Sequence, residues 1–168
     1  MATAGLRVGA LAGIAVNDLE YIDKYSLYAI TVYSNTNSEY LTFLTPQTSE
    51  LMRRFIGNRA DSKPVFYNLF EPDLPLTQSA HVVGIWRLLV KAGLRQPTTT
   101  TEHKAVMMDH GFRKHYRTQL DASGMREDYG ERLMGHGVNS LVERYTRPKP
   151  TVWLETSGYL AAIPHLTY

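Results

Sequence analysis

His110 and Arg113, a histidine and an arginine three positions apart, are the most informative chemical pair in the sequence. Positions i and i+3 of a helix lie on one face, so the imidazole and the guanidinium can point at the same small anion. Arginine offers a planar fork to two phosphate oxygens, and histidine can donate another hydrogen bond or transfer a proton. The tetrapeptide is common, however, and taken alone it fits a surface cation better than a phosphate site.

Further residues of the same chemistry follow at fixed offsets. Gly135-His136 lies 23 residues beyond Arg113, and Tyr145 follows nine residues after His136. Only this offset distinguishes Tyr145 among the eleven tyrosines of the chain. With these residues the sequence resembles the catalytic domain of tyrosine recombinases, the phage-integrase family, and most closely the archaeal-type integrases of viral and other mobile elements.

The resemblance extends in both directions. The segment from Thr3 to Leu11 is similar to the family's first box, whose arginine would be Arg7. Arg147-Pro148 and the segment from Trp153 to Tyr168 resemble the family's C-terminal helix, which in relatives packs on a neighbouring protomer. The fold that this implies is α+β and mainly α, a single catalytic domain over residues 1–168 with a small three-stranded antiparallel sheet among helices.

The resemblance also implies a reaction and its site. Tyr145 would attack a DNA backbone phosphate, forming a 3′-phosphotyrosyl bond and freeing a 5′-hydroxyl, with neither a metal nor a cofactor. The transition state gathers negative charge on the nonbridging oxygens, which Arg7 and Arg113 would stabilise. His110 would act as general base and His136 as hydrogen-bond donor to the phosphate, a division that the sequence leaves open. The implied partner is double-stranded DNA, bound by a homotetramer that the C-terminal segment links.

Two departures from the family pattern bear on activity. The family places a lysine, the general acid for the leaving oxygen, in the turn between the second and third strands, where this sequence has Asn37 or Asn35. An amide cannot supply a proton, so Lys24 in the neighbouring turn is a candidate substitute. The family's helical DNA clamp precedes the first box, so the resemblance implies that this chain is N-terminally incomplete relative to the family: either it is a fragment or a shortened reading frame, or a partner chain supplies the clamp. An alternative function is therefore a DNA-binding but catalytically impaired integrase remnant or regulator.

The charge near the histidine–arginine pair is locally positive. Lys104, Arg113, Lys114 and Arg117 stand against Asp109 within fourteen residues, a balance of four minus one, or +3. Lys104, Lys114 and Arg117 are therefore candidate contacts to the DNA backbone, although such runs are also typical of a solvated face.

Composition sets the limits on other functions. The chain has 168 residues, 43% of them hydrophobic and 20% charged, which predicts one folded domain. The formal net charge is only +2, so overall charge does not indicate a function. Cysteine is absent, which excludes disulfides and fits a reducing compartment, so we expect a cytoplasmic protein. His110 and His115 have the wrong spacing for a zinc helix, which argues against a metal site. A type IB topoisomerase shares the tyrosine chemistry but fits the boxes less well.

The elements that must position these residues can be predicted from hydropathy and turn residues. Strand formers between Asp18 and Leu44, separated by turns at Asp23 to Ser26 and Ser34 to Ser38, predict three antiparallel strands. Thr45-Pro46 predicts the start of a helix that ends near Gly57, and Pro64 to Leu76 predicts a loop.

The second half of the chain is predicted to be helical. Helices are expected from Thr77 or Ser79 to Gly93, from about His110 to Ser123, from Arg126 to Met134 and around Leu141 to Tyr145. Thr98 to Thr101 is a linker by composition. A last helix is expected from Trp153 to Ala162, broken by Pro164. Gly5, Gly9 and Gly13, spaced by four, predict a smooth helix face for close packing.

Overall fold

A computed structural model of the protein describes residues 1–95, 108–136 and 149–167. In this part of the chain, seven α-helices surround one three-stranded sheet. The elements are α1 (Val8–Leu11), β1 (Leu19–Ile22), β2 (Leu27–Val32), β3 (Tyr40–Phe43), α2 (Pro46–Ile56), α3 (Gln78–Lys91), α4 (Met108–Ala122), α5 (Glu127–Leu133), α6 (Pro150–Thr156) and α7 (Tyr159–Leu166).

The sheet is antiparallel with strand order β1-β2-β3, as the sequence predicts. Leu19 pairs with Ile30 across the first hairpin, and Val32 pairs with Tyr40 across the second. The β1–β2 and β2–β3 turns therefore lie at opposite ends of β2. The second turn leaves the sheet beside Tyr40, which becomes important for the site.

The central strand β2 is buried on both faces, and the alternation of its side chains divides the core in two. Leu27 and Ala29 belong to one cluster, which α4, α5, α6 and α7 complete. Ile30 and Val32 belong to the other cluster, together with the N-terminal segment, α1 and the residue that follows β3. Burial on both faces explains why β2 reads as a nearly continuous run of apolar and β-branched residues.

The N-terminal segment is fastened to the sheet and to α7 by hydrogen bonds from buried side chains. The Tyr159 hydroxyl lies 3.1 Å from the carbonyl oxygen of Thr3 and 3.0 Å from that of Phe43. The Thr42 hydroxyl donates to the carbonyl oxygen of Ala4 at 3.0 Å. Because Gly5 follows directly, these bonds fix the backbone that enters the site.

Most predicted helix boundaries are confirmed. Thr45 caps α2, Pro46 is its first residue, and the chain leaves that helix at Gly57 with φ +57°. The Thr77 hydroxyl caps α3 by accepting from the Ala80 amide at 3.2 Å. Gly124, at φ +76°, follows the end of α4. Residues 64–76 form the expected loop, in which Tyr67 and Pro75 make an isolated antiparallel bridge.

The prediction of a single C-terminal helix ended by Pro164 is wrong. The segment forms two helices, α6 and α7, and the break falls at Ser157 and Gly158, where Gly158 takes φ +79°. Pro164 lies inside α7 on its exposed side, while Tyr159, Ala162 and Leu166 are buried. Burial of that apolar face outweighs the one backbone hydrogen bond that a proline removes.

The prediction that the three early glycines form one helix face is also wrong. Only Gly9 lies in α1, which is a single turn; Gly5 precedes it and Gly13 follows it. Gly5 has φ +61°, which is not helical backbone. The predicted linker at Thr98 to Thr101 and the predicted segment at Leu141 to Tyr145 lie outside the described residues. In the described part of the chain, no helix is long and apolar enough to cross a membrane.

Candidate active site

Helix α4 carries the histidine–arginine pair and holds it against the body of the domain. His110 lies in the first turn of α4 and is exposed, whereas Arg113, one turn later, is partly buried. Tyr116 follows after another turn and is fully buried. The burial gradient along this face orients α4, so that its polar start faces outward and Arg113 sits at the rim of the core.

The guanidinium of Arg113 joins α4 to two other segments, the N-terminal segment and the end of α5. One nitrogen, Nη1, donates to the carbonyl oxygen of Gly5 in a short contact. The other, Nη2, lies 3.0 Å from the carbonyl oxygen of Met134 and 2.9 Å from Nε2 of His136. A lysine in its place could not reach these acceptors with a rigid fork. Arg113 is thus the centre of the site.

His136 is presented to Arg113 by the way α5 ends. The helix stops at Leu133, and Gly135 takes φ +67°, as expected for the residue that reverses the chain after a helix. A Cβ atom at Gly135 would lie 2.4 Å from the ring of Tyr40. Only glycine fits there, so the expectation that Gly135 marks the end of the helix is confirmed, and the turn places the His136 ring against Arg113.

Gly5 is a second glycine that the site requires. Its φ is +61°, and a Cβ atom would lie 2.4 Å from the ring of Tyr116. Tyr116 lies one turn beyond Arg113 on α4, so the contact that seats Gly5 against the helix also brings its carbonyl oxygen to Arg113. Burial raises the pKa of Tyr116 above its usual value.

Arg7 belongs to the same positively charged region. It precedes α1 and is partly exposed. Burial, followed by the nearby charge of Arg7, lowers the pKa of Arg113. Burial raises the pKa of Tyr40, and the charges of Arg113 and Arg7 oppose that rise. Within the part of the chain that the structure describes, the Arg7 guanidinium makes no hydrogen bond or ion pair, so it can take an anion.

The three cations predicted to contact DNA differ in their placement. Lys114 is exposed on α4, beside Arg113. Arg117 is only 22% exposed and faces carboxylates, with Nη1 2.5 Å from Glu131 and Nε 3.0 Å from Asp121. Its charge is therefore already matched inside the domain. Lys104 lies outside the described residues, as does Tyr145.

The asparagines at the expected lysine position lie in the β2–β3 turn. Both asparagines are exposed; Asn35 takes φ +62°, and its backbone N–H donates to the Glu39 carboxylate at 2.7 Å. The turn leaves the sheet beside Tyr40, whose ring touches Gly135. The asparagines thus lie at the end of the sheet that borders the site.

The placement of Lys24 does not support it as a substitute acid. Lys24 lies in the β1–β2 turn, at the other end of β2 from the asparagines. The length of β2 separates the two turns by roughly 17 Å, from the rise per residue of a strand. Its ammonium is 2.7 Å from the Glu155 carboxylate. The suggestion from the sequence fails because neighbouring turns along the chain lie at opposite ends of an antiparallel strand.

Sequence reasoning missed two residues that shape this site, Tyr40 and Glu131. Glu131 lies 2.5 Å from Nδ1 of His136. No sequence signal marks either residue, since a tyrosine in a strand and a glutamate in a helix are ordinary. Among the described residues, no three histidine or acidic side chains gather as metal ligands.

The arrangement can bind and polarise a tetrahedral anion. Arg113 and Arg7 supply two guanidiniums of one positively charged region, the His136 ring lies 2.9 Å from Arg113, and His110 lies one turn before Arg113 on α4. Such a set is typical of sites that stabilise a phosphate as it gains negative charge. The fold and these side chains thus define a helical domain with a small sheet and a cluster of basic side chains around Arg113.

Comparison with known proteins gives the family. The family model described as the phage integrase family matches residues 1–151. This chain therefore belongs to the phage integrase family, the tyrosine recombinases. No curated protein matches the sequence.

Solved structures agree on the fold. XerA recombinase has a TM-score of 0.63 and 17% identity, covering 95% of this chain and 54% of that one. The Tn1549 transposon integrase in complex with circular intermediate DNA has a TM-score of 0.59 and 18% identity, covering 95% of this chain and 56% of the integrase. The same integrase bound to transposon right end DNA gives a TM-score of 0.59 at 17% identity. This chain spans about half the length of the structures it matches.

Proposed function

We propose that this chain is the catalytic domain of a site-specific DNA recombinase that cuts and rejoins strands through a 3′-phosphotyrosyl intermediate at Tyr145. The observation that carries the proposal is the placement of the Arg113 guanidinium, which contacts the carbonyl oxygens of Gly5 and Met134 and the ring of His136. Membership of the phage integrase family supports it. So does the DNA bound to the Tn1549 integrase, whose fold this chain shares.

The residues take the following roles. Arg7 and Arg113 bind the nonbridging oxygens of the scissile phosphate and stabilise the charge that these gain in the transition state. Arginine stays charged throughout, so this stabilisation does not depend on pH near neutrality. Lys114 and Lys104 bind phosphates of the DNA backbone next to the scissile phosphate.

Proton transfer falls to the two histidines. The Tyr145 hydroxyl loses its proton as its oxygen bonds to phosphorus, while the bond to the 5′ oxygen breaks and that oxygen takes up a proton from solvent water. His110, exposed at the start of α4, is the proposed base. His136 accepts from Arg113 at Nε2 in the DNA-free arrangement. Its donation to the phosphate therefore requires Arg113 to turn toward the DNA and Nε2 to take up a proton, which makes the ring an imidazolium that still donates from Nδ1 to Glu131. The incoming 5′-hydroxyl of a second strand reverses the step.

A second candidate function rests on the β2–β3 turn. With Asn35 and Asn37 at the position of the general acid, the chain would bind DNA and cut it slowly, as an integrase remnant or regulator. General acid catalysis contributes typically 10² to 10⁴ in rate, so this difference is large enough to measure.

Trapping on suicide substrates tests the proposal. The protein is incubated with nicked duplexes from which the cut fragment diffuses away, and covalent adducts are separated on a denaturing gel. We expect an adduct that Tyr145→Phe abolishes, with Tyr129→Phe as control. DNA binding without an adduct would support the impaired alternative, and relaxation of plasmid without a preferred site would support a topoisomerase.

A further inference from the structure

We propose that Glu131 is a positioning residue for His136, and that Arg117 holds Glu131 in place. The inference rests on the proposed function, because it gives Glu131 and Arg117 parts in the same cleavage reaction. It also replaces the DNA-contact role that the sequence suggests for Arg117 with a role inside the domain.

Two contacts fix the chemical state of the His136 ring. Nε2 lies 2.9 Å from Nη2 of Arg113, and Nδ1 lies 2.5 Å from Oε2 of Glu131. A guanidinium has no acceptor, so Nε2 must accept. An ionised carboxylate has no donor, so Nδ1 must carry the proton and donate it. One tautomer and one ring orientation satisfy both contacts, and a ring flip breaks both.

The carboxylate of Glu131 is itself held by Arg117. Its second oxygen, Oε1, lies 2.5 Å from Nη1 of Arg117, so each carboxylate oxygen takes one partner. Arg117 is steadied in turn by Asp121 at 3.0 Å and by Glu127 at 3.7 Å. The result is a continuous polar chain from Arg117 through Glu131 and His136 to Arg113.

Gly130 gives independent support. It is buried beside Glu131 on α5, and a Cβ atom there would lie 3.1 Å from Nη1 of Arg117. The absence of a side chain lets the Arg117 guanidinium lie across α5 and reach the carboxylate. Arg117 and Glu131 are only 22% and 35% exposed, so water competes less for this pair than for an open surface pair.

Positioning of this kind affects the rate more than the binding. An imidazole misplaced by about 1 Å can lower a rate by 10²-fold, because the reacting groups are no longer aligned. DNA affinity comes mostly from phosphate contacts elsewhere on the surface. Loss of Glu131 should therefore slow cleavage while leaving the DNA dissociation constant nearly unchanged.

The test is a double-mutant cycle read in single-turnover cleavage at saturating DNA. We expect Glu131→Ala to slow cleavage at least about tenfold, with a dissociation constant within about twofold of wild type. Glu131→Gln should recover part of the rate, since its amide oxygen can accept from Nδ1. In a His136→Ala background, Glu131→Ala should have no further effect. An equal loss in both backgrounds would mean that Glu131 supports the fold alone and would overturn the proposal.

Arg117 has a matched control in Arg126, an exposed arginine paired with Asp128 at 3.0 Å. Arg117→Ala should slow cleavage, and combined with Glu131→Ala it should add little, because both act through one carboxylate. Arg126→Ala should leave the rate unchanged. If the two substitutions slow cleavage additively, Arg117 and Glu131 do not act through the same carboxylate, and the proposal for Arg117 is wrong.

A readout that needs no cleavage separates this proposal from the proposed function. Nitrogen-15 NMR of the DNA-free protein reports which ring nitrogen of His136 is protonated. We expect the Nδ1–H form in wild type and its loss in Glu131→Ala. If wild type forms no DNA adduct, the proposed function fails, while this NMR result still supports the positioning role. A tautomer unchanged by Glu131→Ala would overturn it.

Discussion

The guanidinium of Arg113 and the imidazole of His136 meet at 2.9 Å although 23 residues separate them in the chain. The contact forms because α4 and α5 pack together and because Gly135 turns the chain back at the end of α5. It leaves His136 as an acceptor at Nε2, with the arginine that would bind the phosphate as its partner. Arg113 and His136 are thus already in contact in this structure.

Replacement of Gly135 should break this contact. In Gly135→Ala, the new Cβ would overlap the Tyr40 ring and the residue would be strained at φ +67°. We expect a loss of stability of a few kcal/mol and a cleavage rate reduced by more than about tenfold. Gly124→Ala is the matched control, since Gly124 has φ +76° but open space around it. In urea unfolding, the control should lose only about 1 kcal/mol in its free energy of unfolding. An equal loss of unfolding free energy in the two variants would contradict the Tyr40 contact.

Arg113→Lys should abolish cleavage while keeping the charge. A lysine cannot donate to Gly5, Met134 and His136 together, so we expect at least about a 10²-fold loss in single-turnover rate. Lys114→Ala, which removes the neighbouring exposed cation, should weaken DNA binding in a salt-dependent way and leave the saturated rate nearly unchanged. Binding titrations at two salt concentrations measure the difference. Similar saturated rates for the two variants would remove Arg113 from the centre of the site.

A lysine restored to the β2–β3 turn should raise activity. Asn37 is exposed and does not have positive φ, so Asn37→Lys should fold without strain, whereas Asn35→Lys carries the cost of φ +62°. We expect a faster cleavage rate from at least one of them, up to the 10² to 10⁴ that a general acid supplies. Ser38→Lys serves as a control for added charge in the same turn. A rate that rises equally in all three would indicate better DNA binding rather than acid catalysis.

Tyr159 should govern stability and its dependence on alkaline pH. Its single hydroxyl proton is shared between two backbone carbonyl oxygens, those of Thr3 and Phe43, so Tyr159→Phe should cost about 1 to 2 kcal/mol at neutral pH. Burial raises the pKa of Tyr159 well above its usual value. The neutral buried phenol therefore stabilises the fold fully below the unfolded pKa of about 10, and this stabilisation is lost as pH rises beyond it.

Tyr159→Phe should accordingly flatten the alkaline fall in stability, measured by urea unfolding between pH 8 and about 11. Tyr21→Phe, at an exposed tyrosine, should leave both the neutral stability and the alkaline slope as in wild type. An unchanged slope in Tyr159→Phe would show that this phenol does not titrate with unfolding.

The sequence predicted the sheet and most helix ends because those features depend on local chemistry. Alternating strand formers, Thr45 and Thr77 as caps, and Gly57 and Gly124 as stops act within a few residues. The C-terminal segment was mispredicted because burial of one face kept Pro164 inside a helix, and burial is a tertiary effect.

The sequence predicted which residues belong to the candidate site, but it did not predict the contacts between them. Arg113 and His136 do meet, as their family spacing suggests. The roles of Tyr40 and Glu131 depend on how α5 packs against β3 and α4, which no local pattern encodes. Arg117 was expected to face DNA, and only the structure places three carboxylates around it.

The most direct test of the account is to map the residue that carries DNA after trapping on a suicide duplex. The trapped complex is digested with protease and nuclease, and the modified peptide is sequenced by mass spectrometry. We expect a nucleotide 3′-phosphate on Tyr145 and a free 5′-hydroxyl on the released strand, both lost in Arg113→Ala. DNA attached to another residue, or through a 5′-phosphate, would contradict it.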